Sequence, residues 1–171
     1  MDKQFRILQF IMLTLSLSLL NCSRAFNVFQ QDDYPASELN APELANKILV
    51  ASRYSDFKEA VNEKLKEMFN DQPVYIKFIG LSNIENEDVK KYNAIIIINQ
   101  CMGKQMDPAV TNFLNNYDDH NKIIVVTTSG AGGYKPEWEG RQFDVISSAS
   151  KKAKVDEVTD QIAEKVNSLI N

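Results

Sequence analysis

Cysteine and histidine are scarce in this chain: two cysteines and one histidine in 171 residues. Neither type forms a pair at metal-ligand spacing, so nothing in the sequence calls for a structural zinc or an iron–sulfur cluster. A basic excess is missing too. The formal net charge is -4, with no lysine- or arginine-rich stretch, which argues against a nucleic-acid surface. No Gly-x-Ser-x-Gly elbow and no Walker loop occurs, and there is no internal repeat or low-complexity segment. The apolar run near the amino terminus falls short of the roughly 20 residues that a membrane-spanning helix needs.

What the chain does have is 44% hydrophobic and 25% charged residues, enough for one globular domain with a sizeable core. Lys3 and Arg6 precede the apolar run Ile7 to Leu20, the pattern of an export signal over residues 1–21. Leu19-Leu20-Asn21-Cys22-Ser23 closes it and resembles a bacterial lipobox, with Asn21 where a small residue is usual. The resemblance implies a lipid on Cys22 and an exported protein anchored in the cell envelope. Residues 22–45 read as a polar tether whose aromatics Phe26, Phe29 and Tyr34 are free to pack back, and residues 46–171 as the domain.

Within that domain, Ile48 to Ala51 predicts a buried strand, Ser52 to Ser55 a loop, and Asp56 to Phe69 a helix. Phe57, Ala60, Val61, Leu65, Met68 and Phe69 make its inward stripe. Lys58, Glu59, Glu63, Lys64, Lys66 and Glu67 are expected in solvent, and Ser55 or Asp56 caps the helix. Val74 to Ile79, Ala94 to Ile98, Lys122 to Thr128 and Phe143 to Ile146 supply four further strands. Leu81 to Tyr92 is a short connection with Ile84 and Val89 inward. Pro108 opens a helix through Tyr117, and Val155 to Ile170 closes the chain as a helix. Alternation of strands and helices predicts a parallel sheet covered on both faces.

The segments ILVASRYS, LSNIENEDVKKYNAIIII and KIIVVTTSGAGG, with the Gly103 to Pro108 spacing, resemble the flavodoxin-like domain family over about residues 46 to 170. The resemblance implies a three-layer α/β fold with a five-stranded parallel sheet of order 2-1-3-4-5 and a crevice for flavin mononucleotide beside the first and third strands. It puts Ser52, Arg53, Tyr54 and Ser55 in the phosphate loop, with Asp56 and Phe57 following where the family carries small hydroxyl residues. Met102 and Gly103 would lie on one side of the flavin ring. Thr128, Ser129, Gly130 and Tyr134 would lie on the other, where glycines permit close approach and Tyr134 or Trp138 can stack.

Cys101 is a lone cysteine at a strand end, His120 a surface loop residue, and Asp32-Asp33 and Asp118-Asp119 adjacent pairs with no dyad geometry. No catalytic residue follows from these. Two functions of different class remain. One is a lipid-anchored protein that binds flavin mononucleotide and passes electrons to a redox partner protein. The other is the same fold without cofactor, serving as a binding or scaffold module at the membrane.

Overall fold

A computed structural model describes residues 31–103, 105–136 and 143–170. Its strands are β1 (Ser37–Leu39), β2 (Asn46–Ser52), β3 (Val74–Gly80), β4 (Ala94–Gln100), β5 (Ile123–Ser129) and β6 (Asp144–Ala149). Its helices are α1 (Asp56–Phe69), α2 (Pro108–Asn116) and α3 (Val155–Ile170). The expected export signal and Cys22 lie outside the described residues.

β2 and β4 carry unbroken apolar runs because both faces are covered. Ile48, Val50, Ile96 and Ile98 meet α1 and α3, whereas Leu49, Ala51, Ile95 and Ile97 meet α2 and the turns that follow β3. Those turns are two short 3-10 segments, Leu81–Asn86 and Val89–Lys91, which insert Leu81, Ile84 and Val89. Two apolar clusters thus sandwich one sheet.

The sheet has six strands in the order β1-β3-β2-β4-β5-β6, which corrects the expectation of a five-stranded sheet. The additional strand is β1, antiparallel to β3 with Glu38 opposite Lys77. It arises in the stretch assigned to the tether, because Ser37 to Leu39 offers the exposed edge of β3 a backbone ladder that a short polar segment signals poorly. The other five strands are mutually parallel and, taken alone, run β3-β2-β4-β5-β6.

Three smaller expectations are also corrected. β6 runs from Asp144 to Ala149, three residues past the expected end at Ile146, so Ser147 and Ser148 are strand. His120 is buried, with Nε2 3.0 Å from the Leu114 carbonyl and the ring edge-on to Phe143, because the turn at the end of α2 folds it inward. Lys58 is 2% exposed and not on the solvated face of α1. It occupies the first turn, where the ends of β2 and β4 and the segment before β1 close over it.

Candidate functional site

The loops at the carboxyl ends of β2, β4 and β5 gather on one edge of the sheet, where a doubly wound fold has its crevice. Ser52 pairs with Ile98, and Gln100 with Thr128, so the β2 loop and the β5 loop flank the exit of β4. Sequence reasoning expected this grouping. It also left Tyr34 free to pack back on the domain, but did not place residues 31–34 across this edge.

Residues 31–34 form an arm over the end of β2. Asp33 and Arg53 make an antiparallel bridge. The Tyr34 amide donates to the Ser52 carbonyl at 3.1 Å, and the Tyr54 amide to the Asp32 carbonyl at 2.6 Å. Side chains then lock the bridge. Arg53 Nη1 donates to Asp33 Oδ1 at 2.7 Å and to Ser82 Oγ at 2.6 Å, and its Nε donates to Asp107 Oδ2 at 3.0 Å. Burial works against the Arg53 charge, but the bonds and fields of Asp107 and Asp33 outweigh it and hold the guanidinium above its ordinary pKa.

The arm sits in a cradle shaped for it. Asp33 Oδ1 also accepts the Ser82 amide at 3.1 Å, and a Cβ on Gly80 would collide with the Asp33 side chain. Gly80 is therefore small because Asp33 occupies its missing side-chain volume. One residue further on, the Tyr34 ring is buried beside Phe78. Its hydroxyl donates to Glu63 Oε1 at 2.9 Å and accepts from Lys66 Nζ at 3.2 Å.

Beneath the arm, Lys58 Nζ donates to Gln31 Oε1 at 2.7 Å, and the Gln31 amide nitrogen donates to Gln100 Oε1. Burial pushes the Lys58 amine down to about 8, a fall that the field of Asp107 partly offsets and that of Arg53 adds to. A buried amine whose direct partner is a neutral amide is the most perturbed cation of this edge. Its sequence signal was faint: the position lies one residue after Phe57, on the border of the apolar stripe.

The other expected site residues divide between the arm and the far side of the crevice. Ser52 Oγ accepts from Asn62 Nδ2 at 3.2 Å in a fully buried pair. Ser55 caps α1, its Oγ accepting the Lys58 amide at 3.3 Å. The Tyr54 ring is exposed, with its hydroxyl donating to Glu59 Oε2 at 3.0 Å. Met102 closes a tight turn with Gln105 around Gly103, which has φ +58. Cys101 is buried and its amide donates to the Thr128 carbonyl at 2.8 Å.

On the β5 side, Thr128 Oγ1 donates to the Asn99 carbonyl at 3.0 Å. Ser129 Oγ accepts the Gly132 amide at 2.8 Å, and Ser150 donates its amide to the Ser129 carbonyl at 2.9 Å. Gly132, at φ +74, packs so closely that a Cβ would stand 2.7 Å from the Ala149 amide nitrogen. Gly130 is exposed with open space around it, and Tyr134 is half-buried. Trp138 lies outside the described residues.

A flavin phosphate at the β2 loop would need hydroxyls, amides and cations that are unspent. Here the Tyr54 amide and the Arg53 guanidinium already donate within the chain, and Ser52, whose hydroxyl accepts from Asn62, is fully buried. Asp33 and Asp107 add two carboxylates beside them. In this arrangement the loop does not fit a phosphate group. Among the described residues, no cluster of three or more His, Cys, Asp or Glu side chains is placed to hold a metal ion.

No family model matches the chain, and no curated protein matches it. A crystal structure described as an oxidoreductase from Corynebacterium diphtheriae is similar at 11% identity, over 75% of this chain and 98% of its own, with a TM-score of 0.47.

Proposed function

We propose that the chain is a flavodoxin-like binding module held at the envelope membrane through Cys22, and that its crevice works with protein segments instead of a flavin. The observation that carries this reading is the arm of residues 31–34 bridged to Ser52–Tyr54, with Arg53 gripped between Asp33 and Asp107. A carboxylate from the chain stands on the cation that an anionic cofactor would use. A fold whose crevice is closed in this way presents side chains and loops to a partner; it does not enclose a reactive ring.

The test is a titration of the full chain in detergent with flavin mononucleotide, followed by absorbance and flavin fluorescence. The binding-module reading expects no saturable change up to high micromolar flavin. Saturable binding with quenched fluorescence would overturn it and restore the electron-transfer reading. Membrane attachment is tested separately: Cys22→Ala is expected to move the chain out of the lipid-modified membrane fraction.

A further inference from the structure

The arm is a complete recognition element. It bonds to the rest of the molecule along residues 31–34 and again along residues 37–40. Gln31 meets Lys58 and Gln100; Asp33 meets Arg53 and the Ser82 amide; Tyr34 meets Glu63 and Lys66. Ser37 to Leu39 pairs with Ile76 to Phe78. Asn40 ends the run, its Nδ2 reaching the carbonyls of Phe69, Gln72 and Val74 at 3.2, 3.2 and 2.8 Å.

Everything the arm touches lies on the far side of one short connection, residues 41–45, before β2 begins at Asn46. That connection contains Pro42, and a turn from the Leu44 amide to the Ala41 carbonyl at 3.2 Å closes within it. Extended, five residues span about 17 Å. Asn40, immediately before it, holds a left-handed backbone at φ 64. Moving such an arm from its own groove to that of a second copy would carry a small intrinsic cost, because each bond lost is remade in an identical groove.

We propose that the groove formed by Gly80, Ser82, Arg53, Lys58 and Gln100 takes the Gln31–Asn40 arm of a second copy of this chain, so that the arm is an exchangeable contact between copies. This inference rests on the reading that the crevice is filled by protein and not by a cofactor. The recognition is specific in charge and shape. An extended segment must present an amide side chain to Lys58, a carboxylate two residues later to Arg53, and an aromatic ring next to it between Phe78 and Lys66. The chain itself carries that pattern as Gln31-Asp32-Asp33-Tyr34.

Complementation tests it. Asp33→Ala leaves a groove without a good arm, and Arg53→Ala leaves an arm without a good groove. Differently tagged full-length chains of the two variants, mixed in detergent, are expected to co-capture at least about tenfold above either variant mixed with itself. Replacing the Arg53→Ala chain by the double variant Asp33→Ala/Arg53→Ala removes the remaining Asp33 carboxylate and is expected to lower capture to that of the Asp33→Ala chain mixed with itself. Equal capture in all mixtures, or none in any, overturns the proposal.

A second measurement avoids the Arg53 variant. A chain with Glu38→Cys and one with Lys77→Cys, which face each other across the β1–β3 ladder, both also Cys22→Ser and Cys101→Ser, are mixed and oxidised. A disulfide joining the two different chains, in excess over like-chain disulfides, is expected, and monomers or a random mixture of disulfides overturn arm exchange. The flavin titration separates the two ideas: flavin binding by the unaltered chain sinks the binding-module reading, whereas monomers without flavin binding sink only the exchange.

Discussion

Asp33 Oδ1 and Arg53 Nη1 lie 2.7 Å apart across the mouth of the crevice, with both side chains partly shielded from solvent. The pair is more than a surface ion contact, because Arg53 also carries Asp107, which caps α2 by accepting the Ala109 amide at 2.9 Å. Arm, β2 loop and α2 cap therefore share one guanidinium.

Removing that guanidinium is expected to cost more than removing the arm's carboxylate. Arg53→Met strands the nearly buried Asp107 and removes one anchor of the arm, a loss of about 3 kcal/mol. Asp33→Asn keeps the shape and leaves Arg53 its Asp107 partner, a loss of about 1 kcal/mol. Urea denaturation of the two variants beside the unaltered chain gives the order; equal losses would mean that Arg53 does not join the two carboxylates.

Gly80→Ala probes the cradle. The new methyl meets the Asp33 side chain, so the arm must shift, at a cost of about 1–3 kcal/mol. In an Asp33→Gly background the obstacle is gone and the same substitution is expected to cost much less. The double-mutant cycle measures this coupling, and additive losses would show that Gly80 is constrained by something other than the arm.

How legible these features were in the sequence follows from how each is encoded. The ends of α1 and α3 were readable because capping and apolar spacing are local, and β2, β4 and β5 because doubly covered strands are written as continuous apolar runs. β1 was not, since three residues of mixed polarity acquire their strand character from the edge of β3. The grouping of the β2 and β5 loops followed from topology. Occupation of the crevice by Asp33 did not, because a contact between residues 33 and 53 leaves no periodic trace. Lys58 was misplaced: helical spacing put it on the solvated face, and the arm, invisible to the pattern, accounts for its burial.

Lys58 gives stability a distinctive pH dependence. Its amine titrates near 8 in the folded chain against an ordinary value of 10.5, so between those values the unfolded chain binds more protons than the folded one. Stability is therefore expected to rise with pH from about 8 toward 10, by about 1 kcal/mol per pH unit at most. Above that range the tyrosines act oppositely: burial, with neighbouring carboxylates, pushes Tyr75 up to about 12 and raises Tyr92. Lys58→Met is expected to flatten the rise between pH 8 and 10. An unchanged slope in urea melts of the variant would place the titration elsewhere.

The glycines after β5 separate structural need from ligand approach. Gly132 combines a left-handed backbone with the backbone of Ser148 and Ala149 against its missing side chain, so Gly132→Ala requires both strain and displacement of β6. A loss of about 2–4 kcal/mol is expected. Gly130 has no such backbone requirement, and an added methyl would meet nothing within 4 Å, so Gly130→Ala is expected to be neutral within about 0.5 kcal/mol. The contrast assigns the loop's main demand for glycine to its packing on β6. If instead Gly130→Ala left stability unchanged but altered a flavin titration while Gly132→Ala proved harmless, the loop would be built for a ring lying against Gly130, and the crevice would have a cofactor after all.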